Sequence, residues 1–180
     1  MKHITAFLKN RKAELMSLLV LCLFYILLEL KFPFYFLQDD AFNCILPMLE
    51  HNFRTLVSGH IPFYNPHQYL GLPLLSLGQY GTLYPPAYLA SGLSRLLLGH
   101  GFGAMDILMF FHLACGLLGF FSLVRALGLG SAAASFGGLA WAFNGCSVFL
   151  GSSWWAVGQA TAFFPWLLRG MLSLSERRDW

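Results

Sequence analysis

The sequence predicts an all-α polytopic membrane protein, with about four transmembrane helices and a long outer loop that contains amphipathic interfacial helices. Three observations predict it. The 180 residues are 57% hydrophobic and 11% charged, where a soluble domain of this size carries roughly 25% charged residues. A mean hydropathy of +0.62 means more apolar surface than a soluble globule can hide. The Lys and Arg residues gather at the ends of apolar runs, and in a four-span chain those clusters all fall on one side. No basic run interleaved with aromatics marks a nucleic-acid surface, so nucleic acid is not an expected partner.

The elements follow in order. Residues 1–12 are read as the cytoplasmic N-terminus, with Lys2, Lys9, Arg11 and Lys12 ahead of a first span over 13–37. A basic start before an apolar run also describes a signal peptide. The exit LELKFPFYF offers no small-x-small cleavage site, so an uncleaved helix is expected, with Lys31 snorkelling at its far end. Residues 38–104 are read as one extracytoplasmic loop. Its first part repeats apolar residues at Phe42, Ile45, Leu46, Leu49, Phe53, Leu56 and Val57, one face of a helix, and sets Asn43, Glu50, Asn52, Arg54 and Thr55 on the other. Asp39 or Asp40 can cap this helix, Gly59 can end it, and Pro47 should kink it or delay its regular part. Glu50 and Arg54 stand at the i,i+4 spacing of an ion pair.

The stretch GHIPFYNPHQYLGLPLLSLGQYGTLYPP, Gly59 to Pro86, then holds five of the eight prolines and no Lys, Arg, Asp or Glu. It is too apolar for a linker and too broken for a helix. Pro85-Pro86 opens AYLASGLSRLLLG, where Arg95 and the short length favour a second interfacial helix over a fifth span. Three further spans are expected at 105–124, 131–150 and 154–174, with 175–180 as a cytoplasmic end. Trp154, Trp155 and Trp166 fit interface belts. Ala132, Ala133, Ala134, Gly137 and Gly138 permit close helix packing. The four cysteines form no C-x-x-C pair and complete no zinc site.

Several residues are candidates for chemistry, each with a plainer alternative. Asp39 and Asp40, beside a low-dielectric surface, suit a general base; the alternative is a helix cap with a solvated neighbour. His60 and His67 flank FYNP with His51 nearby. They lack metal-ligand spacing, so loop contacts are the better reading and no metal ligand is assigned; the expectation is no cofactor, with a divalent metal as the alternative. Tyr64, Asn65, Gln79 and Tyr84 offer aromatic faces and amides that suit a sugar or a lipid headgroup, or else a lid packed on itself. Arg95 suits a phosphate. His112, Asn144, Gln159 and Thr161 lie inside spans, as inter-helix glue or as the lining of a polar cavity. Asp106 reads as an interfacial charge.

The order of these features resembles a known family. A first span leads to Asp40, then Pro47, then Gly59, Pro62 and Tyr64-Asn65-Pro66, then Gly71, Pro73-Leu74, Gln79 and Pro85. His112, Gly116, Leu123–Gly128 and Pro165-Trp166 continue the likeness, which runs over roughly residues 35–170. The chain resembles the bacterial YfhO-like membrane proteins, related to the GT-C class of membrane glycosyltransferases. Tyr64 stands where that family commonly has Trp, which keeps stacking available.

The resemblance implies a polytopic α-helical enzyme of the bacterial cytoplasmic (inner) membrane, N-terminus in the cytoplasm, with a polyprenyl-phosphate-linked sugar as donor. It implies Asp40, with Asp39 beside it, as the catalytic carboxylate; the residue types themselves make Tyr64, Asn65, His67, Gln79, Tyr84, Arg95 and His112 the substrate-binding candidates. No cofactor is implied. Family members carry more spans, so the chain is expected to be the N-terminal portion of a longer protein or to work with a partner subunit. The alternative functions are a non-enzymatic carrier or assembly subunit, and an inactive truncated remnant.

Overall fold

The apolar runs fold as helices, and the places where they stop follow local chemistry. The computed structural model describes residues 11–68 and 70–176, which are mostly helical. The expectations for residues 1–10 and 177–180, including the charges of Lys2, Lys9, Arg177 and Arg178, lie outside the described residues. Helix α1 is Lys12–Lys31. A π-helical turn, Ala41–Ile45, leads into α2, Leu46–Val57. Then come two short strands, β1 Tyr64–Asn65 and β2 Leu72–Pro73, and α3, Pro85–Leu98. Helices α4, Ala104–Ala126, α5, Ser131–Ala142, α6, Gly145–Val148, and α7, Trp155–Glu176, complete the order.

Among the described residues, two helices, α1 and α4, are long and apolar enough to cross a membrane; α5 with Gly145–Ser152, bent by 41°, makes a third if counted as one span. The first span was expected to reach residue 37 but its helix ends at Lys31. Pro33 lacks an N–H and disfavours helical backbone at Phe32, which leaves the helix at φ −135°. The expected span over 131–150 is broken at Phe143 and Asn144. There Asn144 turns extended and starts a new short helix, its Oδ1 accepting from the Ser147 N–H at 2.9 Å. Asn144 thus caps a local break and ties the end of α5 to the start of α6, its amide donating to the Trp141 carbonyl.

The chain divides into two compact units. One comprises residues 1–33, 110–150 and 157–180. In it α1 packs on α5, with the Ser135 hydroxyl donating to the Ala13 carbonyl at 3.3 Å and Phe24 against Phe143 at 4.6 Å between centroids. Leucines on the rest of α1, among them Leu19, Leu23, Leu27 and Leu30, are exposed, the pattern of a helix solvated by lipid. Small residues admit close neighbours as expected: Gly137 lies under the Phe120 ring, and a Cβ on Gly116 would sit 2.8 Å from the Thr161 carbonyl. That carbonyl also accepts from the Trp141 indole at 2.8 Å. Trp166 was expected in an interface belt. Instead its indole donates to the Cys115 carbonyl at 2.9 Å and packs over Gly119, both well inside α4. Gly116→Ala should cost about 1–3 kcal/mol through overpacking. A thermal melt in detergent checks this, and an unchanged Tm would show that α7 can move away.

The other unit comprises residues 34–109 and 151–156. Its core is Ala41, Ile45, Leu49, Ala87, Ala90, Met105, Leu108 and Trp155. Pro47 sits in the first turn of α2, so the regular helix is delayed as expected. The expected apolar face of α2 is rotated, however. Ile45, Leu46, Met48, Leu49 and Asn52 are buried, while Phe42, Leu56 and Val57 are exposed. Asn52, expected on the outward polar face, is covered because the loop folds back over it and offers the Tyr80 carbonyl at 3.2 Å.

Helix α3 begins at the proline pair and ends at Gly99, whose φ of +77° suits a residue without Cβ. It is inside-out for a soluble helix: Ala87, Ala90, Ser91 and Ser94 are buried and Leu89, Leu93, Leu96 and Leu97 exposed. With 14 residues it is too short to span.

The uncharged loop is ordered by its own contacts. Tyr64 pairs with Pro73 and Asn65 with Leu72, antiparallel. Pro62 and Leu74 are fully buried, and the Thr82 hydroxyl donates to the Leu74 carbonyl at 3.3 Å. Asp106, expected as an interfacial charge, is buried; its Oδ1 accepts from the Phe36 N–H at 2.8 Å.

Candidate functional site

Asp40 stands where a capping residue would, yet its side chain caps nothing. Its Oδ2 accepts instead from the indole N–H of Trp154 at 3.1 Å, and both side chains are exposed. The backbone fixes this meeting. The Gln38 N–H donates to the Ser152 carbonyl at 3.0 Å, tying the segment before Asp40 to the segment before Trp154. Trp155, the neighbour of Trp154, is buried, and its indole donates to the Gln79 carbonyl at 3.0 Å. It lies over Gly81, φ +62°, where a Cβ would strike the ring. The belt reading is corrected for Trp155, which fills a core; Trp154 is exposed and orients a carboxylate. Asp39 is exposed at φ +42°, a left-handed conformation that Asp tolerates better than most residues. It turns the chain into the helix.

One helical turn beyond Asp40, Asn43 lines two cavities. The larger is a cleft of about 740 Å³ bounded by Phe42, Leu46, Pro47 and Phe102 on its apolar side and by Glu50, Arg54, Arg95 and His100 on its polar side. The expected Glu50–Arg54 pair is present at 2.6 Å. The structure adds Arg95, which reaches the other oxygen of the same carboxylate. Arg95 also donates to the Ser91 carbonyl at 3.1 Å and lies 4.3 Å over the Phe53 ring. Burial by itself raises the Glu50 carboxyl, but the hydrogen bonds and charges of Arg95 and Arg54 outweigh it and hold it below its ordinary value. With the folded value depressed, the pair stabilises the fold above the ordinary carboxylate pKa, and that contribution is lost as pH falls through the folded value.

The other candidates are distributed unevenly. Tyr64 is exposed with its ring over Gly71. Asn65 is buried and holds the loop, its Oδ1 accepting from the His67 N–H at 2.9 Å and its amide meeting the Met48 sulfur at 3.3 Å. His67 stacks edge-on with His51 at 6.1 Å. Gln79 is exposed, and Tyr84 is half-buried against Trp155. So Asp40 is gathered with Trp154, and Arg95 with the cleft, while Asn65 serves the loop itself. His112 belongs to the other unit, buried and edge-on to Phe163 at 6.3 Å. Gln159 is half-buried in that same unit, whereas Asn144 is used by its own cap. Among the described residues, no group of three or more His, Cys, Asp or Glu could hold a metal ion.

The residues that sequence reasoning missed are Trp154 and Asn52. The only signal for Trp154 was an indole N–H that needs an acceptor; nothing in the sequence said which one. No family profile, curated protein or solved structure matches the chain.

Proposed function

We propose that the chain is the N-terminal portion of a membrane glycosyltransferase of the GT-C class, which moves a sugar from a polyprenyl-phosphate donor to an acceptor on the outer face of the bacterial cytoplasmic membrane. The product would be a cell-envelope glycan or a teichoic-acid-type modification. The reading includes four crossings, by α1, α4, the bent pair of α5 with Gly145–Ser152, and α7, with the N-terminus in the cytoplasm and 38–104 outside. The motif resemblance and the two strongly apolar helices support it. The observation that carries it is Asp40: an exposed carboxylate at the start of a helix, unused as a cap, oriented by an indole, and one turn from a cleft with apolar and cationic walls.

In the proposed reaction the acceptor hydroxyl oxygen bonds to the anomeric carbon of the sugar. The bond from that carbon to the phosphate oxygen breaks, and the polyprenyl phosphate leaves with the electron pair. The hydroxyl proton passes to Asp40, whose Oδ1 carries no hydrogen bond among the described residues. Tyr64 offers an exposed ring for stacking on the sugar.

The test incubates the protein in membranes with a radiolabelled polyprenyl-phosphate sugar and follows label into glycan. Transfer that needs Asp40 is expected. Thiol labelling of an Asp40→Cys variant only from the cytoplasmic side would refute the reading. Trp154→Phe keeps the ring but removes the N–H. It should slow transfer about 3–10-fold, the worth of one hydrogen bond, with KM unchanged. In an Asp40→Asn background the same substitution should add nothing further, and independent losses would deny the coupling.

A further inference from the structure

Glu50 is an unusual lining for a cleft that would receive an anion, and its geometry assigns it a definite part. Its two carboxylate oxygens are taken by two different guanidiniums, Arg54 on the next turn of α2 and Arg95 from α3. The three side chains carry one net positive charge. Arg95 does not depend on Glu50 for its place, because the Ser91 carbonyl and the Phe53 ring also hold it. Gly101 closes over the pair so tightly that a Cβ there would lie 2.8 Å from Glu50 Oε2 and 3.2 Å from the Arg95 guanidinium. A carboxylate forked between two arginines holds the place that a phosphate oxygen pair would take between the same groups.

We infer that this cleft is a binding site for a phosphate-headed lipid, in which Glu50 is an internal counter-ion that the phosphate displaces from Arg95 and Arg54. The apolar wall of Phe42, Leu46, Pro47 and Phe102 takes the start of the hydrocarbon tail, and the arginines take the head. Without ligand, Glu50 keeps two cations satisfied beside an apolar surface. With ligand, it gives them up. Glu50 therefore sets the affinity and keeps binding weak enough for release. This inference rests on the transferase reading for its setting, and its test stands apart from it.

The test measures binding of farnesyl phosphate to the detergent-solubilised protein by the change in tryptophan fluorescence. Farnesol and inorganic phosphate serve as the two control probes. Farnesyl phosphate is expected to bind more tightly than either. Glu50→Gln should tighten it about 3–10-fold, because the arginines lose a competitor. Arg95→Gln should weaken it about 10–100-fold, the range for hydrogen bonds to a charged group, and Arg54→Gln, at an exposed position, should weaken it less. Thermal melts show which variants are folded, and if Arg95→Gln is not, Glu50→Gln and Arg54→Gln decide.

Glu50→Gln that weakens binding or leaves it unchanged overturns the counter-ion role. Inorganic phosphate binding as tightly as farnesyl phosphate overturns the lipid, and farnesol doing so overturns the phosphate. Binding with this pattern but no sugar transfer leaves the site standing and removes the transferase. Transfer whose donor KM ignores Glu50 and Arg95 does the reverse.

Discussion

Asp40→Asn lowers sugar transfer by about 10²–10⁴-fold, the usual contribution of a positioned general base, while the protein keeps its fold. The second half of this expectation comes from geometry. Asp40 is exposed and makes no cap bond, so no helix terminus depends on a hydrogen bond from its side chain. An amide at this position still offers an oxygen to the Trp154 indole, which leaves the local arrangement intact. The change therefore removes the proton acceptor and little else. Donor KM should stay within about threefold, since a group that acts in the transition state shows in kcat. Asp39→Asn is the control. Its side chain is exposed on a residue that turns the backbone, and Asn tolerates φ +42° as Asp does. It should retain transfer within about threefold. Equal losses at both positions would mean that local charge matters rather than one base. Full activity of Asp40→Asn would end the proposal for this residue.

Trp155→Ala costs about 3–5 kcal/mol, the range for removing a buried aromatic side chain, and unfolds the loop unit first. Against a typical total stability of about 5–15 kcal/mol, this is a large loss. Trp155 belongs to the core cluster that also takes in Ala41, Ile45, Leu49, Ala87 and Ala90. It also meets the Tyr84 ring and anchors the loop through the Gln79 carbonyl. Gly81 leaves the space that it occupies. Trp155→Phe keeps much of the packing and loses the hydrogen bond, so its cost should be nearer to about 1 kcal/mol. Limited proteolysis reads the difference. Cleavage within 59–84 should appear early in Trp155→Ala and late in Trp155→Phe. Resistance equal to wild type in both would mean that Pro62, Leu74 and the strand pair hold the loop unaided.

How far the sequence could be read follows from the range of each interaction. Helix starts and stops at Pro85-Pro86, Gly59 and Pro47 were legible because they are set by one or two residues' own backbone preferences. The Glu50–Arg54 pair was legible because helical spacing alone brings it together. The break at Asn144 was missed because apolar residues on both sides hid a local cap. Trp155 and Trp166 were misplaced for a different reason. Composition favours tryptophan at membrane interfaces, but an indole N–H is satisfied by any carbonyl that tertiary packing supplies.

The sequence by itself determined the helical class, the apolar helices long enough to cross a membrane, the ordered uncharged loop, and Asp40 at a helix start. Tertiary structure alone decided the site. Arg95 reaches Glu50 across 45 positions, Asp106 reaches the Phe36 amide across 70, and Trp154 reaches Asp40 across 114. It also decided that Asn52 is buried and that the leucines of α3 face outward. The physical reason is that periodicity says a helix has a face, while only packing says what covers it. A charge or an indole states that it needs a partner, and the chain's three-dimensional path chooses which partner arrives.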